Sequence, residues 1–201
     1  MNSHGRDAKT FAGPEKILRS LVVSADADDA LSLFNIGPYE DGLAAIGMRS
    51  EVYGDEFPIS NPTAQLFCGQ LKDTNPSYWD EDFARKIWGG LIAPFSLLWA
   101  FGHRMPWKPN SAERSISIFL QIPLPGNSAI NASTEATYFK PLKIGDRLHG
   151  YDEIIAIGPE KTTKLGTGHF VTGVSNYFNQ NEERIGTVKN VVFRYIAHPS
   201  K

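Results

Sequence analysis

Two short motifs within residues 72–95 contain residue types that could transfer a proton and hold a negatively charged oxygen. Asp73 can act as an acid or a base, but no histidine lies in the same stretch to complete a proton-transfer pair. Gly89 and Gly90 precede an apolar segment whose predicted helix would offer free N–H groups to an anion. Glycine also lets a substrate oxygen approach the backbone closely. The stretch therefore predicts half of a proton-transfer site beside an oxyanion site, although a glycine pair also commonly ends a helix and the two roles are compatible.

The composition argues against several classes of function. The 201 residues carry a formal net charge of −2, and the pI is about 6.2, so there is no electrostatic case for binding nucleic acid or an anionic membrane. Cys68 is the single cysteine, which excludes an intrachain disulfide and a multi-thiolate metal site. No paired metal-ligand motif is present, and no metal or cofactor is expected.

The hydropathy pattern predicts a protein that does not cross a membrane. The N-terminal residues lack the apolar stretch of a signal peptide, so we expect a cytoplasmic protein. The longest apolar run, residues 91–102, has the length of a buried helix and is too short to cross a bilayer.

The chain is predicted to consist of an N-terminal extension and one domain. Residues 1–45 form the extension, which is expected to be partly disordered and partly helical. The domain then covers residues 46–201. No internal repeat or low-complexity tract divides it further.

The first half of the domain is predicted to be helical. Residues 61–73 and residues 79–87 each fit a short helix, with Asp80 as the N-cap of the second. Residues 91–103 are apolar on all sides, so they are predicted to form one helix that the rest of the protein surrounds. His103 closes that segment, where a cation would suit the negative end of the helix dipole.

The second half is predicted to form strands. Five segments are rich in β-branched and aromatic residues, and Gly, Pro or Asn lies between most of them. They cover residues 115–124, 129–139, 147–157, 166–178 and 184–196. An antiparallel sheet wrapped around the buried helix accounts for this order of elements, so the expected fold class is α+β.

Three motifs together resemble the MaoC-like hot-dog hydratases and dehydratases. They are DTNPSYWD, GGLIAP and YFKPLKIGDRL, and the resemblance covers residues 46–196. It is closest to the FAS1-like dehydratase N-terminal branch. The resemblance implies a hot-dog fold, with a curved antiparallel sheet wrapped around a central helix. It also implies an acyl-CoA or acyl carrier protein thioester as substrate and a dimeric or pseudo-dimeric site.

The resemblance assigns roles to the residues of the opening stretch. Asp73 would be the acid of an Asp/His dyad in a D-x-N-P-x-H pattern, and Asn75 would shape the turn or touch the catalytic water. Tyr78 stands at the histidine position; a phenol titrates near pH 10, so at neutral pH it donates a proton but seldom accepts one. Gly90 would be the oxyanion donor, with Gly89 as a spacer.

Further residues are candidates for substrate contacts. Four residues could line an acyl pocket, although their spacing is also that of a core: Trp88, Ala93, Phe95 and Trp99. Five basic residues could meet the phosphates of coenzyme A, although a solvated face is the simpler explanation: Lys72, Arg85, Lys86, Arg104 and Lys108. His169 stands out among the five histidines, and a hydrogen-bonded histidine at the surface is expected there.

Three functions remain open from the sequence. The first is a 2-enoyl-thioester hydratase or 3-hydroxyacyl dehydratase, in which this chain, with its incomplete dyad, pairs with a histidine-bearing partner chain and shapes half of the acyl pocket. The second is a hot-dog thioesterase that uses Asp73 alone, and the third is an acyl-CoA-binding module without catalysis. A homodimer or heterodimer is expected in each case, because sheet edges are seldom left unpaired.

Overall fold

A computed structural model describes residues 33–103, 109 and 117–199 of the chain. All of them belong to one unit that begins at Leu33. Residues 1–32 of the predicted N-terminal extension lie outside the described residues. The division into an extension and a domain at residue 45 therefore stays a prediction.

Five α-helices occur in the described ranges: α1 (Tyr39–Leu43), α2 (Asn61–Leu71), α3 (Glu81–Trp88), α4 (Leu98–Gly102) and α5 (Ile118–Gln121). Two 3₁₀ turns, Pro76–Tyr78 and Phe95–Leu97, come before α3 and α4. The predicted helices α2 and α3 are confirmed. The N-cap of α3 is Asp80, as predicted, and its Oδ1 accepts a hydrogen bond from Phe83 N at 3.0 Å.

Eight strands are described: β1 (Tyr53–Pro58), β2 (Ile92–Ala93), β3 (Ser128–Tyr138), β4 (Leu142–Lys143), β5 (Arg147–Ile157), β6 (Lys161–Thr162), β7 (Gly166–Asn179) and β8 (Arg184–Ala197). The main antiparallel sheet has the order β1-β5-β7-β8-β3, with β6 paired to β7. Strands β2 and β4 form a separate two-stranded sheet. Strand β1 has no counterpart among the predicted segments.

Four of the five predicted strand segments are confirmed, and the first is wrong. Residues 115–124 include helix α5 instead of a strand. Their apolar residues Ile118, Phe119 and Ile122 are all buried. A short apolar run fits a buried helix as well as a buried strand, and here packing across the sheet decides the conformation.

The central helix is shorter than predicted. Ile92 and Ala93 are extended and pair with β4, and the chain turns helical only from Phe95. Pro94 explains the late start, because a proline disfavours helical geometry at the residue before it. Trp99, predicted as mostly core, is 43% exposed, whereas Leu98 is 1% exposed.

The core lies in two main clusters. Helix α4 and the turn before it pack against the sheet with Leu97 and Leu98, which meet Leu148, Tyr177 and Ile185. The second cluster is covered by α5 and the residues that follow it; its buried members are Ala45, Ile118, Phe119, Ile122, Leu124, Ile154, Ile157 and Val171. A helix packed on an antiparallel sheet confirms the α+β class and the expected hot-dog fold.

A buried arginine, Arg194, holds α5 and the residues that follow it against the sheet. Arg194 on β8 is 0% exposed, and its two terminal nitrogens donate hydrogen bonds to six backbone carbonyls. The acceptors are Phe119 at 3.0 Å, Leu120 at 3.4 Å, Ile122 at 3.3 Å, Leu124 at 3.4 Å, Gly126 at 3.0 Å and Asn35 at 3.2 Å. Carbonyl dipoles thus surround the charge, and the segment 117–126 is held to the sheet.

Replacing Arg194 by Met should destabilise the protein strongly. The apolar side chain would leave several buried carbonyls without a donor, each at a cost of about 1–3 kcal/mol. We expect the free energy of unfolding to fall by at least about 3 kcal/mol, measured by urea denaturation. Arg184→Met on the same strand is the control, because Arg184 is exposed and donates to one side-chain oxygen, that of Asn176. An equal loss in the two variants would contradict the role of the carbonyl contacts.

Candidate active site

The turn that carries Asp73 is built by the side chains that were predicted to be catalytic. Asp73 Oδ1 accepts a hydrogen bond from Asn75 N at 3.0 Å, and Asn75 Oδ1 accepts one from Ser77 N at 3.0 Å. The second bond caps the 3₁₀ turn Pro76–Tyr78. Such local side-chain bonds are how Asp and Asn stabilise turns. Asp73 and Asn75 therefore shape this loop whatever chemistry they also perform.

Tyr78 lies in the protein interior instead of pointing freely into a cleft. Its side chain is 8% exposed and packs with Cys68, Ile92 and Trp88. Burial raises the pKa of the Tyr78 phenol, and the negative charge of Asp73 raises it further. A phenol with a raised pKa keeps its proton at neutral pH, so Tyr78 can donate a hydrogen bond but cannot replace a histidine base.

The glycine pair ends helix α3. Gly89 has φ 82°, a left-handed geometry that favours glycine, and its N–H donates to Arg85 O at 3.1 Å. The role of the pair as a helix end is therefore confirmed. A hydrogen bond from Trp88 Nε1 to Ser77 Oγ, 3.0 Å long, ties this helix end to the Asp73 turn.

The backbone after the glycine pair has free donors. Among the backbone hydrogen bonds of the described ranges, none is donated by Gly90 or Leu91, while Leu91 O accepts one from Ile144 N at 3.2 Å. A side chain placed on Gly90 would meet no atom within 4 Å. The predicted helix does not start here, so any attraction for an anion comes from these N–H groups and not from the dipole of α4.

A pocket of about 310 Å³ opens beside these donors. Its walls are formed by Gly89, Gly90, Leu91, Ile144, Lys143 and Glu81. Lys143 reaches the pocket because β4 pairs with β2, which places Lys143 opposite Ile92. Reasoning from the sequence did not single out Lys143; the signal was its place in the motif YFKPLKIGDRL. The result is a small pocket with free N–H groups and one lysine.

The four residues predicted to line an acyl pocket do not lie together around the pocket beside Gly90. Ala93 is 0% exposed inside the core, so it has no surface with which to contact a ligand. Trp88 is half-buried against Tyr78, and Phe95 lies 4.9 Å from the ring of Tyr138. None of these, nor Trp99, lines the pocket beside Gly90, and neither do the residues of the Asp73 turn.

The positions of two histidines and one arginine can be compared with the predictions. His169 is 2% exposed, stacks on Tyr39 at 4.5 Å and has Nδ1 3.1 Å from Gly158 O. The expected surface location of His169 is therefore wrong, because β7 turns this side chain inward. His103 ends helix α4 as predicted. Arg85 pairs with Glu81 at 2.6 Å, whereas Arg104 and Lys108 lie outside the described residues.

Comparison with known proteins identifies the family. The family described as "FAS1-like, dehydratase domain region" matches residues 44–188. The chain belongs to this family. The resemblance drawn from the motifs DTNPSYWD, GGLIAP and YFKPLKIGDRL is thereby confirmed.

This FAS1-like dehydratase domain is similar to part of a longer relative. A probable enoyl-CoA hydratase alpha subunit of Thermomonospora curvata is 26% identical over 144 residues, covering 69% of this chain and 45% of the relative. The chain thus matches a little under half of the relative's length.

Solved structures share the fold of this FAS1-like dehydratase domain. A chain of the ChsH1-ChsH2 complex from Mycobacterium tuberculosis matches with a TM-score of 0.64 and 17% identity, over 86% of this chain and 94% of that one. A MaoC-like dehydratase from Rhodospirillum rubrum matches with a TM-score of 0.54 and 24% identity, over 78% and 95% of the two chains.

The described residues of this FAS1-like dehydratase domain show neither a metal-binding cluster nor a membrane-spanning helix. Within the described ranges, no three His, Cys, Asp or Glu side chains are grouped so that they could hold a metal ion. None of the helices in the same ranges is long and apolar enough to span a membrane.

Replacing Tyr78 by Phe should remove a phenol that ionises above pH 10. The folded state keeps this proton at pH values where the unfolded chain releases it. Wild-type stability should therefore fall relative to that of the variant as the pH rises above about 10, with no pH-dependent difference below it. Urea unfolding at several pH values and phenolate absorbance would measure this. Loss of an absorbance step below pH 10 in Tyr78→Phe would contradict the raised pKa.

Proposed function

We propose that this FAS1-like dehydratase domain binds the acyl thioester of a hydratase or dehydratase and that a second hot-dog chain, which carries a complete Asp/His dyad, moves the protons. The reaction would be 2-enoyl-CoA hydration or 3-hydroxyacyl-CoA dehydration. The observation that carries the proposal is the pair of free N–H groups at Gly90 and Leu91 beside a pocket. No cofactor enters this chemistry.

Hydration of an enoyl thioester makes two demands on a site. Water adds its oxygen to the β-carbon while a proton goes to the α-carbon, and an acid–base group moves these protons. Negative charge develops on the thioester oxygen and must be stabilised by a hydrogen-bond donor. The Gly90–Leu91 backbone can meet the second demand. The first is met only in part, because Asp73 has a buried tyrosine where a histidine would be needed.

The relatives support a partner chain. The name of the Thermomonospora curvata relative describes it as an alpha subunit, which implies a second kind of subunit in that protein. The name of the ChsH1-ChsH2 structure describes a complex of two proteins. We extend this arrangement to the present chain as part of the proposal.

The edge strand β3 is the surface that such a partner would use. Ten of its eleven residues are exposed, although the strand is one side of a well-formed sheet. An exposed strand of this length invites pairing with another chain. The rings of Tyr138, at the end of β3, and Phe95 lie 4.9 Å apart. A chain paired along this edge would therefore lie next to the start of the central helix.

The division of catalysis between two chains can be tested by assay. We expect the purified chain to show no turnover of crotonyl-CoA, and turnover to appear when a hot-dog chain carrying D-x-N-P-x-H from the same genome is added. Asp73→Asn should leave the activity of the complex within about twofold, because kcat depends on the partner's dyad. The matched control is the same Asp→Asn change in the partner's motif, which should abolish turnover.

Two results would overturn this proposal. Turnover by the isolated chain that is lost in Asp73→Asn would show a one-carboxylate enzyme. Release of free coenzyme A from acyl-CoA would show a thioesterase.

Lys143 suggests that the thioester is carried by coenzyme A. Lys143 lines the pocket that holds Gly90, and a lysine binds phosphate groups, such as those of coenzyme A, as a point charge. An acyl pantetheine has the same reacting group without those phosphates.

Lys143→Gln should therefore weaken binding of acyl-CoA and spare that of acyl pantetheine. We expect a Kd about fivefold higher for crotonyl-CoA, the upper range for an exposed ion pair, and an effect that shrinks with salt. Calorimetry with both ligands measures it. Lys164→Gln, an exposed lysine between β6 and β7, is the control and should change neither Kd. If binding of both ligands weakens equally, Lys143 does not bind the phosphates.

A further inference from the structure

The two free N–H donors beside the pocket lie in a short segment that is held at both ends. Trp88 ends helix α3 just before Gly89, and Ile92 begins strand β2 just after Leu91. Glycine adopts many backbone conformations, so the Gly89–Gly90 pair alone would not give the N–H groups of this segment a fixed direction. The contacts at the two ends of the segment therefore decide where the donors lie.

The end of the segment that follows the donors is held by a strand pair and by core contacts. Ile92 pairs with β4, is buried, and packs in a small cluster with Cys68 and Tyr78. Leu91 is held by its carbonyl, which accepts a hydrogen bond from Ile144 N at 3.2 Å. This end of the segment therefore has several independent contacts, and the loss of one of them would change it little.

The end that precedes the donors depends on one side-chain hydrogen bond. Trp88 Nε1 donates to Ser77 Oγ at 3.0 Å, and Ser77 is 4% exposed. The Trp88 ring is half-buried and packs against the same small cluster. The indole N–H of a buried tryptophan needs an acceptor, so without Ser77 Oγ the ring would turn toward water or keep an unpaired donor. Turning the ring would move the residue directly before Gly89.

Ser77 is itself held by the Asp73 turn. Asn75 Oδ1 accepts a hydrogen bond from Ser77 N, and Asp73 Oδ1 accepts one from Asn75 N, both at 3.0 Å. With the bond to Trp88, three side-chain hydrogen bonds in series connect Asp73 to the residue before the glycine pair. None of the three requires a proton to be transferred. The Asp73 turn therefore has a use in this chain that does not depend on a histidine.

We propose that Ser77 is a positioning residue of the thioester site, because its hydrogen bond to Trp88 fixes the backbone that carries the Gly90 and Leu91 N–H groups. This inference rests on the proposed function and adds a role for the Asp73 turn, which orients the oxyanion donors and does not itself move protons. Donors that are fixed before the ligand arrives bind a carbonyl oxygen without the cost of ordering them.

Two ligands that differ only at the thioester carbonyl can isolate this contact. They are butyryl-CoA and S-butyl-CoA, the thioether in which a CH₂ group replaces the carbonyl. Both contain coenzyme A and a chain of equal length, so a difference between their Kd values reports on the carbonyl oxygen. Calorimetry with the full chain measures both values. We expect the wild-type chain to bind butyryl-CoA about tenfold more tightly, as hydrogen bonds from two backbone donors predict.

Ser77→Ala and Trp88→Phe remove the same hydrogen bond from its two sides. In each variant the preference for butyryl-CoA should fall to about threefold or less, while the Kd of S-butyl-CoA stays within about twofold of the wild-type value. The double variant should lose no more of the preference than either single variant, because all three lack one and the same interaction. Trp88→Phe keeps the test decisive if Ser77→Ala does not fold.

Two matched controls remove comparable hydrogen bonds that do not reach the glycine pair. Trp79→Phe removes the bond from Trp79 Nε1 to Asp73 O, which is 2.8 Å long and lies in the same turn. Ser60→Ala removes the N-cap bond of α2, in which Ser60 Oγ accepts from Thr63 N. Both controls should keep the wild-type preference for butyryl-CoA, whatever stability they lose in urea denaturation.

The outcomes separate this inference from the proposed function. If Ser77→Ala and Trp88→Phe keep the preference, or weaken both ligands equally, the inference is wrong while the proposed function stands. The same holds if Trp79→Phe reduces the preference as much as Trp88→Phe does. If the wild-type chain binds the two ligands equally, or binds neither, the free donors do not hold a thioester oxygen and both proposals are wrong.

Discussion

The Ala93–Pro94 junction is the constraint on which the site depends. Because proline disfavours helical geometry at the residue before it, the apolar segment cannot continue as helix from the glycine pair. Ile92 and Ala93 instead pair with β4. This pairing brings Lys143 to the pocket beside Gly90, and within the described part of the chain the Gly90 and Leu91 N–H groups have no backbone partner. One local restriction on the backbone thus produces both the donors and the pocket.

Two elements cover the core, and they are held in different ways. Helix α4 packs on one part of the sheet and the segment 117–126 packs on another, held by the carbonyl contacts of Arg194. A cation whose hydrogen bonds all go to backbone carbonyls is an unusual anchor, and it gives the covering segment a fixed position without a carboxylate partner.

The glycine pair borders a pocket, whereas the end of the Asp73 turn is buried in a small core. Gly90 faces a pocket, whereas Tyr78 is part of a small core with Cys68 and Ile92. A histidine at that place would have to be buried or the cluster would have to rearrange. The hydrogen bond between Trp88 and Ser77 ties the two motifs together.

The sequence alone determined the elements whose signals are local. The bounds of β5 follow from β-branched residues between turns, and the ends of α3 follow from Asp80 and Gly89, which act within one helical turn. Tertiary structure decided the rest. Residues 115–124 carry a pattern that fits helix or strand, and only packing on the sheet selects between them. Lys143 meets Gly90 across more than fifty residues of chain, and the contacts of Arg194 span similar separations. Helix caps and strand propensity depend on a few neighbouring residues, so the sequence shows them. Burial and pocket walls depend on segments that are distant in the chain, so they exist only in the folded protein.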